Sequence, residues 1–228
     1  MAKIIITGAS SGIGAATAEI FRNDGDHRII LLGRSVRRLG EVAKRTKGTP
    51  MVCDITKEQE IEETSRKILL EFGPPDVLIN NAGHFVAKPL LETTPDLFRQ
   101  QVEVNLTGSF MVTRALLPSM LEAGSGHIFF MASVASQQAY AGAGAYCAAK
   151  HGLLGLARVV RAETLNTGLR VTTVLPGATL TPSWDCTTLP EERFMPPQDV
   201  ARCVLDAWKV SSRTVIEEVL LRPREGDI

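Results

Sequence analysis

The sequence predicts an α/β protein built on a doubly wound, mostly parallel seven-stranded sheet with helices on both faces. Three observations predict it. Short runs rich in β-branched residues alternate with longer stretches of helical periodicity along the whole chain. These runs are apolar at successive positions rather than at alternate ones, the pattern of strands covered on both sides. Their carboxyl ends repeatedly carry glycine or polar residues, and in open parallel sheets ligands gather outside those ends.

The elements follow in order. "KIIIT" is the first strand, and the glycine-rich "TGASSGIG" leads from it into the helix "AATAEIF". The second strand, "HRIILL", is followed by Gly33 and Arg34, and "PMVC" by Asp54. Thr56 and Gln59 have the spacing of a capping box for the next helix. "DVLI" ends in Asn80, Asn81, Ala82 and Gly83, and "FRQQVEVNLTGSFMVTRALL" reads as a long helix. "HIFFMAS" is the fifth strand, the stretch from Gly144 to Arg161 has helical periodicity, and "LRVTTVL" and "TVIEEVLL" complete the sheet. Residues 1–228 therefore read as one domain. The aperiodic segment at about 178–197 has the length of a substrate lid.

The totals narrow the function. With 25 basic and 25 acidic residues the formal net charge is zero, and no long run of one sign attracts nucleic acid or an anionic membrane. Cys53, Cys147, Cys186 and Cys203 form no CxxC pair, so neither a zinc site nor a disulfide framework is expected. No apolar run approaches a membrane span, and the N-terminal apolar run is too brief for a signal-peptide core, so a cytoplasmic location is expected.

A glycine turn between the first strand and first helix aims backbone N–H groups and the positive helix end at a phosphate. Gly8, Gly12 and Gly14 are its glycines, with Ser10, Ser11 and Ile13 between them. The same letters spell GxSxG over Gly8, Ser10 and Gly12, the signature of a hydrolase nucleophile elbow, for which only His84 and His151 remain as bases. A dinucleotide site also needs, about 20 residues on, an acid for a ribose hydroxyl or an arginine for a 2′-phosphate. Arg34, with Arg37 and Arg38 a turn later, favours NADP(H) over NAD(H), because a guanidinium fork suits a phosphate dianion. Asp54 is placed to accept from an adenine amino group or simply to form a turn.

Both tyrosines of the chain lie in "SVASQQAYAGAGAYCAAK". Tyr146 and Lys150, four residues apart, share a helix face, and an ammonium group there favours phenolate, lowering the tyrosine pKa from about 10 and making it a general acid and base. Tyr140 has no such neighbour. Ser133 ends the fifth strand, where its hydroxyl is able to polarise a carbonyl oxygen or cap a turn. Asn105 sits mid-helix between apolar neighbours, which suggests an inward side chain.

TGASSGIG, NNAG, the helix asparagine, the serine followed by YxxxK, and "PGATLT" after the sixth strand, in this order, resemble the short-chain dehydrogenase/reductase family across essentially the whole chain. The resemblance implies a Rossmann-type fold. It also implies hydride transfer between a nicotinamide ring and a small-molecule carbonyl or alcohol, without a metal. It makes Tyr146 the proton donor, Lys150 a ligand of the nicotinamide ribose, Ser133 the carbonyl polariser and Asn105 part of a water relay. Gly8 to Gly14, Arg34, Asp54, Asn81, Ala82, Gly83, Lys150, Pro176, Gly177 and Thr181 become cofactor contacts, and a homodimer or homotetramer is expected. Ser11 stands where NADP-preferring members often carry a basic residue, and the segment after Thr181 is shorter than in many members, which suggests an open substrate pocket. The ending "SRTVIEEVLLRPREGDI" with "GHIFF" resembles a bacterial sepiapterin-reductase-like branch, in which Trp184 would stack on a pterin and Asp185 or Asp227 pair with its amino groups, or Trp184 would anchor the loop. The remaining reading is a dinucleotide-binding sensor or scaffold without chemistry.

Overall fold

The computed structural model describes residues 1–185 and 187–228. Seven parallel strands, β1 (Lys3–Thr7), β2 (Arg28–Gly33), β3 (Thr49–Val52), β4 (Val77–Asn80), β5 (Gly126–Met131), β6 (Leu169–Pro176) and β7 (Glu218–Leu221), lie in the order β3-β2-β1-β4-β5-β6-β7. The chain thus winds outward from β1 in one direction and then, from β4, in the other. The reversal leaves a crevice above the carboxyl ends of β1 and β4.

The helices are α1 (Gly12–Asp24), α2 (Val36–Thr46), α3 (Glu58–Phe72), α4 (Pro95–Val102), α5 (Gly108–Ala123), α6 (Gly144–Glu163) and α7 (Pro197–Lys209). Successive residues of β1 show why both faces need cover. Ile5 packs with Ile61 and Ile68 of α3, Val112 and Leu116 of α5 and Leu153 of α6. Ile4 and Ile6 point the other way, into Ala18 and Phe21 of α1, Leu39 of α2 and Val200 and Val204 of α7. All three isoleucines are essentially without solvent exposure, so each removes about 1.5–3 kcal/mol worth of apolar surface from water.

Three sequence expectations change. The long helical stretch is interrupted by a π-turn at Glu103–Thr107, which joins α4 to α5 and holds Asn105. The Thr56–Gln59 capping box does not form: α3 starts at Glu58 with Lys57 as its N-cap, and the Gln59 amide donates instead to Glu63. The last strand also starts later than its apolar run, at Glu218, although Thr173 N–H reaches back to the Glu217 carbonyl at 2.8 Å.

The expected lid is anchored at its base. Leu180 N–H donates to the Met195 carbonyl at 2.8 Å and Met195 N–H to the Ala178 carbonyl at 3.0 Å, and short 3-10 turns occupy Pro182–Trp184 and Glu191–Arg193. Cys53 and Cys147 are free and buried and Cys203 is free and half-buried. Cys186 lies outside the described residues.

Phe21 links the two ends of this fold, since its ring meets Trp208 of α7 at 5.5 Å between centroids while remaining fully buried. Phe21→Ala is expected to cost ~4 kcal/mol, from lost transfer energy and the cavity left behind, as measured by denaturant unfolding.

Candidate active site

Above the β1–β4 reversal lies a cleft of about 1170 Å³. Its size exceeds the usual span for one drug-sized ligand, about 300–1,000 Å³, and suits a dinucleotide with a second molecule beside it. Among the residues lining it are Gly8, Ser10, Ser11, Gly12 and Ile13 of the glycine turn, Arg34, Asp54, Asn81 to Gly83, Asn105, Ser133, Tyr146, Lys150, Pro176, Gly177 and Thr181. Of the catalytic and cofactor contacts expected from the family resemblance, Gly14 alone is not in the wall. It is buried behind it, where a Cβ would stand 2.5 Å from both the Asn81 amide nitrogen and the Gly8 carbonyl oxygen.

The turn is shaped by close backbone approach. Gly8 has φ +65°, and a Cβ there would stand 2.7 Å from Ala82 Cα. One buried hydroxyl fixes this juxtaposition: Thr7 Oγ1 accepts from the N–H groups of Asn81 and Ala82 at 2.9 and 3.0 Å. In return the Asn81 amide donates to the Thr7 carbonyl at 2.9 Å and the Gly8 carbonyl at 3.3 Å. The Asn81 side chain therefore braces the turn, and what it offers the cleft is its edge. Ser11, the N-cap of α1, makes no side-chain cap bond, so the first N–H groups of the helix have no intrahelical acceptor and face the cleft. This is a cradle for an anion at a helix N-terminus.

At the far end of the cleft Arg34 and Arg38 are exposed and make no ion pair among the described residues, whereas Arg37 pairs with Glu41 at 2.6 Å. Asp54 lines the cleft, but one of its oxygens accepts from Thr56 N–H and Thr56 hydroxyl at 3.0 and 2.9 Å, so the turn reading applies and leaves its second oxygen for a ligand.

At the near end the four polar residues converge. Asn105 is fully buried: its Nδ2 donates to the carbonyls of His84 at 2.8 Å and Gln101 at 3.0 Å, and its Oδ1 accepts from His84 N–H at 3.1 Å. The π-turn supplies the extra residue that swings this side chain inward. A Cβ on Gly83 would stand 2.9 Å from Asn105 Oδ1 and 3.5 Å from Lys150 Nζ, which places the amide and the amine on either side of one glycine. Ser133 is both site residue and cap: its Oγ accepts from Ala135 N–H at 3.1 Å, and its own N–H donates to Ser136 Oγ at 3.2 Å.

The expected acidification of Tyr146 by Lys150 is overturned. Lys150 Nζ sits 5.6 Å from the Tyr146 ring centroid and donates to the Met131 carbonyl at 2.8 Å. Burial dominates both groups. It pushes the Tyr146 phenol up to about 12, with the Ser133 hydroxyl pulling weakly the other way, and it drives Lys150 down to about 7. The phenol is thus held protonated at neutral pH, and the lysine is poised to gain or lose its proton there.

Two neighbours, Thr7 and Phe85, were not singled out by sequence. Thr7 follows an ordinary strand pattern, and only its position before the glycine turn hinted at a role. Phe85 meets the Tyr146 ring edge-on at 4.9 Å. Trp184 packs between Phe85 at 5.9 Å and Phe194 at 5.1 Å, so it anchors the lid rather than standing free to stack on a flat ligand. Asp185 is exposed and is not among the cleft-lining residues, while Asp227 lines the cleft with one oxygen bonded to Tyr140 and Arg222. The hydrolase elbow lacks its base: His84 is exposed, His151 Nδ1 is bonded to the Cys147 carbonyl, and no histidine is bonded to Ser10 among the described residues.

A family model described as short chain dehydrogenase matches residues 2–190. The chain belongs to the short-chain dehydrogenase family. Relatives of this family member cover nearly its whole length. It is 34% identical over 239 residues to a sepiapterin reductase of Chlorobaculum tepidum, spanning 99% of this chain and 97% of that one. It is 33% identical over 225 residues to an uncharacterized oxidoreductase of Staphylococcus saprophyticus, spanning 96% of each. Among solved structures, an alcohol dehydrogenase from the archaeon Thermococcus sibiricus complexed with 5-hydroxy-NADP superposes with a TM-score of 0.91 at 30% identity, over 100% of this chain and 99% of that one. The actinorhodin polyketide ketoreductase with NADPH gives a TM-score of 0.88 at 29% identity, over 96% and 95%. Among the described residues of this family member, no helix is long and apolar enough to cross a membrane, and no three His, Cys, Asp or Glu side chains are grouped to hold a metal ion.

The buried lysine makes stability depend on pH. Its folded pKa of about 7 lies below the ordinary 10.5, so between these values the unfolded chain binds the extra proton and folding stability rises with pH. Lys150→Met is expected to flatten that rise across the same window, as read from urea unfolding of the two proteins at matched pH values.

Proposed function

We propose that the protein is an NADP(H)-dependent oxidoreductase that reduces a small-molecule carbonyl compound, with Tyr146, Lys150, Ser133 and Asn105 as its catalytic group. The observation that carries this reading is the meeting of those four side chains at one end of a cleft whose other end holds Arg34 and Arg38, which make no ion pair among the described residues. The NADP and NADPH complexes among the structural relatives support it.

The residues fit the cofactor. The open N–H groups at the start of α1 suit its pyrophosphate, and Arg34, supported by Arg38, suits a 2′-phosphate. Asp54 retains a carboxylate oxygen for the adenine amino group. Pro176, Gly177 and Thr181, which line the cleft, would hold the nicotinamide side, and Lys150 would hold a ribose hydroxyl. The cofactor, when bound, supplies the hydride.

The chain's own groups handle the proton. The Ser133 hydroxyl donates to the carbonyl oxygen, stabilising negative charge as it develops. Tyr146, protonated because burial raises its pKa to about 12, delivers a proton to the same oxygen. Lys150, with a pKa near 7, then restores the tyrosine proton, and Asn105 holds the polar path by which the lysine is recharged. A phenol held in its acid form fits reduction better than alcohol oxidation, which requires a phenolate base. The meeting of these four side chains in one cleft favours an enzyme over a silent sensor. Exposed Phe98, Phe110 and Val159 on α4, α5 and α6 support a homodimer or homotetramer, and the neutral charge balance fits a cytoplasmic enzyme without a nucleic-acid or membrane partner.

Fluorescence titration is expected to give tighter binding of NADPH than of NADH. Arg34→Asp should weaken NADPH by about 10- to 100-fold, the loss of roughly 1.5–3 kcal/mol in charged hydrogen bonds, with little effect on NADH. Equal affinities in the unaltered protein would remove the role assigned to Arg34. In a panel of aldehydes and ketones, Tyr146→Phe should lower kcat by at least ~100-fold while NADPH still binds. Undiminished turnover in that variant contradicts the assigned proton donor. NADPH binding without turnover on any carbonyl compound favours the sensor instead.

A further inference from the structure

The second tyrosine and the C-terminal tail have no part in the chemistry above, yet the fold brings them together over the cleft. Beyond β7 the chain is pinned by Gly177 N–H donating to the Leu221 carbonyl at 2.8 Å and by burial of Pro223. Gly226, at φ +87°, closes a turn in which its N–H donates to the Pro223 carbonyl at 2.9 Å, and the chain then returns toward the cleft. Asp227 and Ile228 line the cleft beside Tyr140 and Trp184.

Asp227 is the meeting point of three segments. Its Oδ2 accepts from the Tyr140 hydroxyl at 2.5 Å and from the Arg222 guanidinium, while Arg222 also reaches Gln138 at 3.4 Å. From the lid, Arg193 pairs with Glu225 at 2.9 Å and donates to the Asp227 carbonyl at 3.5 Å. The other carboxylate oxygen of Asp227 is buried and has no hydrogen-bond partner among the described residues. A carboxylate placed this way is costly to desolvate unless its remaining contacts hold it, so the Tyr140 and Arg222 bonds decide whether the tail stays over the cleft. Such a wall needs no chemistry of its own to select substrates, because excluded volume in a pocket discriminates by size.

We propose that Tyr140 is a positioning residue that, through Asp227, fixes residues 222–228 as the wall of the substrate end, and that this wall sets the size of the carbonyl compound admitted. The inference rests on the oxidoreductase reading for its substrate, but the latch itself is testable without turnover. In a Tyr146→Phe background Tyr140 is the only tyrosine in the chain, so ultraviolet titration of tyrosinate reads it alone. Burial and the neighbouring Asp227 carboxylate both oppose its ionisation, so it should titrate above the ordinary phenol value, and adding Asp227→Asn should bring it down.

In protein retaining Tyr146, Tyr140→Phe and, separately, Asp227→Asn should each raise kcat/KM for a bulky aryl ketone relative to a compact aliphatic one by about tenfold, with the NADPH dissociation constant unmoved. An ordinary titration that Asp227→Asn leaves unchanged overturns the latch. A shifted titration with an unaltered ketone ratio in both variants overturns the control of size. If the unaltered protein is inert on every ketone, the oxidoreductase reading fails and the size role fails with it, while the titration still decides whether the tail is held.

Discussion

The cleft depends on one buried hydroxyl. Thr7 Oγ1 takes the N–H groups of Asn81 and Ala82 at the point where strand order reverses, so β1 and β4 end in a fixed relation to each other. Parallel strands leave their last backbone groups unpaired at the carboxyl edge, and at a reversal no neighbouring crossover covers them. Here a side-chain oxygen and the Asn81 amide satisfy them. Gly8 can then pass close to Ala82, and the start of α1 is left open toward the cleft.

Burial, rather than pairing, sets the protonation of the central residues. Had the ammonium of Lys150 sat against the Tyr146 hydroxyl, attraction would have favoured phenolate. Its hydrogen bond goes instead to the Met131 carbonyl, so both groups feel mainly the loss of water and both move toward their neutral forms. A neutral phenol beside an amine near its midpoint is an arrangement for delivering protons. The π-turn holds Asn105, whose buried side chain is bonded to the His84 and Gln101 carbonyls.

Much of this was legible in the sequence. Unbroken apolar runs such as "KIIIT" and "LRVTTVL" identified strands buried on both faces, and the glycine turn, NNAG, Ser133 and the Tyr146–Lys150 spacing marked the carboxyl-edge residues that the fold gathers. Local spacing misled where another partner, near or far along the chain, competed for the same group. Thr56 and Gln59 had capping-box spacing, but Asp54 and Glu63 claimed them. Trp184 looked available for a ligand until Phe85 and Phe194 enclosed it. Tyr140 lacked any partner four residues away, and its partner proved to be Asp227, 87 residues on.

The sequence by itself determined the parallel sheet, its crevice and the identity of the polar groups around it, because strand burial and helix-face spacing are short-range properties of the chain. Only the tertiary structure decided which of those groups are charged, braced or free. Desolvation and hydrogen-bond competition depend on atoms brought together from distant segments, and they set the high pKa of Tyr146, the low pKa of Lys150, the bracing role of Asn81 and the latch that joins Tyr140 to the tail.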